Sequence, residues 1–69
     1  MDRIPVSSSN ISGVGYAPAS MTLEIAFHGG GVYQYFDVPE TMYQEFMRAG
    51  SKGKFFHANI KDNYRCTKV

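Results

Sequence analysis

The chain has 69 residues, of which 43% are hydrophobic and 19% are charged. This length predicts a single domain, residues 1–69, and the composition is typical of a folded rather than a disordered chain. No hydrophobic run approaches the roughly 20 residues of a membrane-spanning helix, which excludes a membrane role of that kind. Ser7, Ser8, Ser9 and Asn10 interrupt the N-terminal hydrophobic stretch, so we expect no signal peptide and a cytoplasmic location.

Stability is the first difficulty for a chain of this size. A single core in so short a chain rarely supplies more than about 3–5 kcal/mol. Cys66 is the only cysteine, so no internal disulfide can form, and its spacing from His28 and His57 matches no zinc motif. We therefore expect no metal and no cofactor, and we expect the chain to gain stability by forming a homo-oligomer.

The charges are divided unevenly along the chain, although the net charge is only +1. Residues 1–49 carry two basic and five acidic side chains, a balance of −3, whereas residues 50–69 carry five basic and one acidic, a balance of +4. Such a basic end indicates either an anion-binding region or a solvated tail. The isoelectric point of 7.9 lies below the value of about 9 typical of nucleic-acid-binding domains. A ligand with one to three phosphates therefore fits this charge better than a duplex does.

The hydrophobic pattern predicts an α+β fold with a small antiparallel sheet of three to four strands. Alternating hydrophobic residues make 21–28 the clearest strand, and the glycines at 29–31 predict a hairpin that leads to a partner strand at 32–38. Residues 11–16 predict a preceding strand that bends or bulges at a glycine. Residues 4–6 form at best an edge strand because of Pro5, and the tail at 63–69 alternates loosely enough to be a last strand.

One main helix is predicted on a face of the sheet and a second, shorter helix near the basic C-terminal region. Pro39 is suited to the first turn of the main helix, where its missing N–H costs nothing, and Gly50 is expected to end it as a C-terminal cap. The apolar contact residues of this helix are Met42, Tyr43, Phe46 and Met47. Ser51 is expected to cap the second helix.

The register of the hairpin decides which face Tyr33 and Tyr35 occupy. A three-residue loop would place Phe27 opposite Tyr33 and both tyrosines on the core face, whereas a two-residue loop would place them on the other face. We favour the three-residue loop because the alternative buries Gln34 among apolar residues without a partner.

Several blocks of this sequence together resemble the KTSC domain. They are residues 4–10 (Ile-Pro-Val-Ser-Ser-Ser-Asn), Gly15-Tyr16, residues 31–36 (Gly-Val-Tyr-Gln-Tyr-Phe), Val38-Pro39, and Ser51-Lys52-Gly53-Lys54-Phe55-Phe56 with Ile60. The resemblance covers nearly the whole chain, and it departs at His57, where asparagine is expected. This family is named for its place at the C-terminus of some lysyl-tRNA synthetases, and it also occurs as a stand-alone protein in bacteria and their phages. The resemblance thus implies a stand-alone member and suggests an RNA-binding role.

The strongest candidate site is the block of Ser51, Lys52, Gly53, Lys54, Phe55 and Phe56. Lysines beside a glycine at a helix start offer cations and backbone N–H groups to a phosphate, and a phenylalanine can stack on a base. The alternative is a helix connection whose phenylalanines pack the core, and we expect at least one of them there. Further candidate ligand-binding residues are Tyr16, Tyr33 and Tyr35 as an aromatic wall, and Asn59 and Arg65 as contacts to a base edge or a phosphate. Core packing is the alternative for the tyrosines, and a solvated surface is the alternative for the other two.

We expect no catalytic activity, since no metal-binding or acid–base cluster is evident and His57 has no nearby serine–acid arrangement. The leading hypothesis is a non-catalytic module that captures a small phosphorylated nucleotide, such as a cyclic dinucleotide, at a site between subunits. In a phage such a protein would sequester a host immune signal. The alternatives are a module that binds RNA such as tRNA, and a protein–protein adaptor.

Overall fold

A computed structural model describes all 69 residues, Met1 to Val69. Its elements are, in chain order, β1 (Ile4–Pro5), β2 (Ile11–Ala17), β3 (Thr22–Phe27), β4 (Gly31–Tyr35), α1 (Glu40–Arg48), α2 (Lys52–Asn59) and β5 (Cys66–Lys68). The five strands form one antiparallel sheet in the order β1-β2-β3-β4-β5. The α+β fold is confirmed, with one strand more than the three to four expected because both short terminal segments pair at the edges. Neither helix is long and apolar enough to cross a membrane.

The β2–β3 pair carries the predicted irregularity at a glycine. The pairing shifts between Ile11 and Gly13, so that Ser12 lies in a bulge, and the Ser12 hydroxyl donates to the Ala26 carbonyl at 3.2 Å. A bulge bends its strand and increases the local twist. The start of β2 is thereby bent where it follows the loop of residues 7–10.

The β3–β4 hairpin confirms the expected face and corrects the expected pairing. Ile25 pairs with Tyr33 and Leu23 with Tyr35, so both tyrosines lie on the core face. The pairing nevertheless differs by two residues from the expected one, because Phe27 pairs with Gly31 and the turn occupies residues 28–30. Gly31 has φ of 86° and belongs to the strand, so the glycine triplet is only partly loop.

The two helices lie beyond β4, and the start of each has a local cause. Pro39 precedes α1 in an extended conformation, and Ser51 precedes α2 with its hydroxyl accepting a hydrogen bond from the Lys54 N–H at 3.3 Å. The prediction that Gly50 caps α1 is wrong. The helix ends at Arg48, and Ala49 takes an extended conformation (φ −65°, ψ 138°) while its N–H donates to the Phe46 carbonyl. No left-handed residue is needed there, because the chain turns directly into the Ser51 cap.

One hydrophobic cluster holds the helices against the sheet. Its nine buried members are Ile11, Val14, Leu23, Ile25, Tyr35, Val38, Phe46, Phe56 and Ile60. Phe46 of α1 is fully buried, and the Phe56 ring of α2 packs edge-on against Tyr35 and Phe27, with centroids 5.6 and 5.3 Å away. This packing fixes the position of α2 and leaves its N-terminal end facing the loop of residues 7–10.

The opposite face of the sheet carries a polar row that crosses several strands. Glu24 is 5% exposed and accepts hydrogen bonds from Arg3 of the N-terminal segment and from Gln34 of β4. Gly15 makes room for this segment, since a Cβ there would lie 2.6 Å from the Asp2 carbonyl oxygen. Gln34 therefore has a partner outside the apolar core, as the choice of register required.

Candidate functional site

An open cleft of about 650 Å³ separates the loop of residues 7–10 from the first half of α2. One wall consists of Ser7, Ser8, Ser9 and Asn10, and the other of Gly50, Ser51, Lys52, Gly53, Lys54, His57 and Ala58. We call it the serine–lysine cleft. Ala58 is its only hydrophobic residue, and no acidic residue lines it.

The loop wall is held by hydrogen bonds of its own. The Ser8 hydroxyl accepts from the backbone N–H groups of Asn10 and Ile11, each at 3.3 Å, as serines in tight turns do. The Asn10 carbonyl accepts from the His28 N–H at 2.9 Å, which ties the loop to the β3–β4 turn. The loop is therefore fixed to the sheet and forms a defined wall.

The helix wall begins where the backbone of α2 has unpaired donors. The Ser51 hydroxyl accepts a hydrogen bond from the Lys54 N–H, and the Ser51 carbonyl accepts one from the Phe55 N–H. The N–H groups of Lys52 and Gly53 precede the first helical hydrogen bond and are free to bind an anion at the positive end of the helix. Gly53 also sets the distance between the walls, because a Cβ there would lie 3.3 Å from the Asn10 side-chain nitrogen.

The two lysines of the cleft have different surroundings. The Lys52 ammonium donates to the Ala49 carbonyl at 2.8 Å, which places it at the end of α1. Lys54 is exposed, and His57 is an exposed neighbour three residues further along α2. The ion pairs of the chain join Arg3 to Glu24 and Arg65 to Asp37, so no carboxylate neutralises either cleft lysine. The cleft is consequently electropositive.

Four of the residues expected to bind a ligand line this cleft: Ser51, Lys52, Gly53 and Lys54. The other seven lie elsewhere: Tyr16, Tyr33, Tyr35, Phe55, Phe56, Asn59 and Arg65. The block that the sequence singled out is therefore divided. Its polar half lies at the surface, and its phenylalanines turn toward the core.

The aromatic side chains that were expected to contact a ligand take part in packing, and none of them lines the cleft. Tyr35 and Phe56 are only 4% and 6% exposed. Burial, more than the neighbouring Cys66, Tyr33 and Asp62, raises the pKa of Tyr35 to about 12, so its phenol stays neutral. A base could stack on these rings only if the core opened.

The remaining aromatic candidates are half-buried and engaged with neighbouring rings. Phe55 stacks on Phe46 with centroids 5.7 Å apart, and Tyr33 meets Phe27 edge-on at 5.9 Å. Tyr16 stacks on Tyr43 at 4.8 Å.

The Tyr16 hydroxyl is also engaged, since it donates to the Val38 carbonyl. Burial, followed by the charge of Glu40, raises the pKa of Tyr16. Tyr16 thus joins the sheet to α1, whereas Tyr35 packs against α2 and Tyr33 against a neighbouring strand.

Asn59 and Arg65 do not reach the cleft either. The Asn59 side chain donates to the Phe55 carbonyl at 3.2 Å, within α2. The Arg65 guanidinium lies 3.5 Å from the Asp37 carboxylate and over the Phe36 ring, between the β4 and β5 segments. Both side chains of that ion pair are highly exposed, so the pair contributes little to stability.

Sequence reasoning missed the loop wall and part of the helix wall, namely Ser7, Ser8, Ser9, Asn10, Gly50, His57 and Ala58. The serine run was interpreted as a turn, which it is, with no indication of a binding role. About forty residues separate it from Ser51, and only the folded sheet brings the two segments together. The shared resemblance of both segments to one family was the available signal. No group of three or more His, Cys, Asp and Glu side chains is placed to hold a metal ion.

A five-stranded antiparallel sheet with two helices, and a polar, basic cleft at the start of the second helix, define a small α+β domain. Residues 7–64 match the family model of the KTSC domain, so the chain belongs to the KTSC domain family. The crystal structure of a KTSC domain protein from Yersinia pestis superposes with a TM-score of 0.98 and 50% sequence identity. The match covers 99% of this chain and 96% of that chain.

Relatives of two sizes are similar to this chain. A protein of Tsukamurella paurometabola is 38% identical over 61 residues, which cover 88% of this chain and 91% of that protein. A lysine–tRNA ligase of a Nostoc species is 42% identical over 50 residues, which cover 72% of this chain and only 9% of the ligase. The domain therefore occurs both as a small protein of similar length and as a minor part of a large enzyme.

Proposed function

We propose that this protein binds the phosphate groups of a small nucleotide in the serine–lysine cleft and catalyses no reaction on it. The observation that carries the proposal is the composition of the cleft, with four serines, two lysines and no carboxylate among its lining residues. Phosphate oxygens only accept hydrogen bonds, and serine hydroxyls, ammonium groups and backbone N–H groups are donors.

The geometry distributes these donors over both walls. The free N–H groups of Lys52 and Gly53 are on one side, and the serine loop is on the other. Lys54 is the cation best placed to respond to a ligand, because Lys52 is already bonded to the Ala49 carbonyl. Both walls belong to one chain, so we locate the site within a single subunit and treat self-association as a separate prediction.

Isothermal titration calorimetry with cyclic di-AMP, cyclic di-GMP and ATP tests the proposal. A hydrogen bond to a charged group contributes about 1.5–3 kcal/mol, so we expect Lys54→Gln to weaken binding by roughly ten- to a hundredfold. Lys68→Gln on β5 is the matched control, because it removes the same charge outside the cleft. Absence of heat with every nucleotide, or equal weakening by both substitutions, would contradict the proposal.

RNA binding is the second candidate, favoured by the similarity to lysine–tRNA ligases and by exposed basic residues that continue beyond the cleft. Lys54 and His57 lie on α2, and Lys61 follows the end of the helix. Contacts to several phosphates would make the affinity fall steeply with salt, with a log–log slope of about −0.7 per phosphate for single strands. A gel shift with tRNA and a slope of about −2 or steeper would favour this candidate, and a flat salt dependence would count against it.

A further inference from the structure

We infer that the serine–lysine cleft recognises phosphate groups alone, so that it accepts phosphorylated compounds whatever base they carry, including compounds without a base. The inference rests on the proposed function and specifies its ligand class. It follows from what the lining of the cleft lacks as much as from what it contains.

The cleft offers no surface on which a base would stack. Proteins that hold bases usually do so between flat apolar or aromatic side chains. Here Ala58 is the only hydrophobic lining residue, and no phenylalanine or tyrosine lines the cleft. The single ring is the imidazole of His57, which stands at 69° to the Phe56 ring with centroids 5.5 Å apart. One exposed imidazole without an opposite partner cannot sandwich a base.

The aromatic side chains nearest in sequence cannot supply that surface. Phe56 is buried against Tyr35 and Phe27, and Phe55 stacks on Phe46 of α1. Rotating either phenylalanine into the cleft would break contacts that join α2 to the rest of the core. The base-binding half of a nucleotide site is therefore missing and cannot be completed by a local rearrangement.

The polar groups of the cleft also discriminate poorly between bases. A serine hydroxyl rotates freely and both donates and accepts, so it suits any base edge equally. Asn10 is the only side-chain amide, and its nitrogen lies against Gly53. The remaining donors are ammonium and backbone N–H groups, which match phosphate oxygens. Affinity should therefore follow the number and accessibility of the phosphates.

The test uses the whole protein in calorimetric titrations with three groups of probes. Cyclic di-AMP, cyclic di-GMP and cyclic di-UMP differ only in their bases, pyrophosphate and ribose 5-phosphate have no base, and adenosine has no phosphate. We expect the three cyclic dinucleotides to bind within about threefold of one another. We expect pyrophosphate to displace them and adenosine not to bind.

The outcomes separate this inference from the proposed function. A preference of tenfold or more for one base, binding of adenosine, or failure of pyrophosphate to compete with a bound nucleotide would overturn the inference and leave nucleotide binding in place. If pyrophosphate or ribose 5-phosphate binds and none of the nucleotides does, phosphate recognition is supported and the nucleotide function is overturned. No binding by any probe would overturn both.

Discussion

Replacing Gly53 with alanine should change stability and ligand binding in opposite directions. Gly53 is the second residue of α2, so alanine improves the helix propensity by up to about 1 kcal/mol. The new methyl carbon would lie 3.3 Å from the Asn10 side-chain nitrogen, a few tenths of an ångström closer than an ordinary contact. Asn10 is exposed, so its amide can move away at little cost in folding free energy.

The expected result is a modestly more stable protein with a damaged cleft. A gain of 1 kcal/mol raises the melting temperature of a domain of this size by about 4–8 °C. The methyl group and the displaced Asn10 amide narrow the gap between the walls and shield the Gly53 N–H. We therefore expect the dissociation constant for cyclic di-AMP to rise at least about tenfold, a loss of roughly 1.4 kcal/mol.

Circular dichroism melts and calorimetric titration of the same samples measure both effects. Gly50→Ala provides a comparison for stability, because a Cβ at Gly50 would meet nothing within 4 Å. This substitution should stabilise the folded protein by about 0.4–1 kcal/mol, because alanine reduces the conformational entropy of the unfolded chain. If Gly53→Ala binds as tightly as the unmodified protein, the gap between loop and helix is not the binding site. If Gly53→Ala melts at a much lower temperature than the unmodified protein, the Asn10 side chain cannot move away from the new methyl group at little cost.

Three further predictions concern the fold. Phe46→Ala removes a fully buried ring and should lower the free energy of unfolding by about 3–5 kcal/mol. A urea titration should then show much of the protein unfolded before urea is added, and an unchanged midpoint would contradict the burial of Phe46 in the core. The hydrogen bond from Gln34, and to a lesser extent Arg3, lowers the pKa of Glu24, although burial acts in the opposite direction. The ionised Glu24 carboxylate therefore stabilises the fold above pH 4.5, and this stabilisation is lost as the pH falls further. The melting-temperature gap between unmodified protein and Glu24→Gln should accordingly shrink between pH 7 and pH 3, and a constant gap would refute this. Sedimentation equilibrium at micromolar concentration should show a homo-oligomer, and a stable monomer would refute the prediction made from chain length.

Local patterns were sufficient for most of the fold. Alternation of hydrophobic residues predicted β3, the glycine triplet placed a hairpin after it, and Ser51 marked the start of α2. These features depend on neighbouring residues, which a sequence displays directly. The prediction of Gly50 as a cap was wrong, because a glycine permits a left-handed conformation but does not require one.

Features that depend on distant pairs were harder to predict. The hairpin pairing was displaced by two residues, since a shift of two keeps every side chain on its face and leaves the hydrophobic pattern unchanged. Buried Glu24 is paired with Arg3, whose side chain lies over Gly13, and no local pattern connects these three segments. The cleft is a further case, because residues 7–10 and Ser51 become neighbours only through the sheet and the core.

The Ser51–Phe56 block, which the sequence singled out as one site, is divided between the surface and the core. The block was identified for its lysines beside its phenylalanines, and the structure separates them. The helix places Phe56 in the core, while Lys54 remains at the surface. The rings stabilise the element that presents the lysines, and the phosphate-binding part of the hypothesis no longer depends on stacking.

Chemical-shift mapping tests the binding site most directly. In ¹H–¹⁵N spectra recorded during titration with pyrophosphate and with cyclic di-AMP, the largest changes should fall on the amides of Lys52 and Gly53 and of residues 7–10. The amides of β4 and β5 should change little. Shifts concentrated around Tyr33, Tyr35 and Arg65, or no shifts with either ligand, would contradict the assignment of the serine–lysine cleft as a phosphate site.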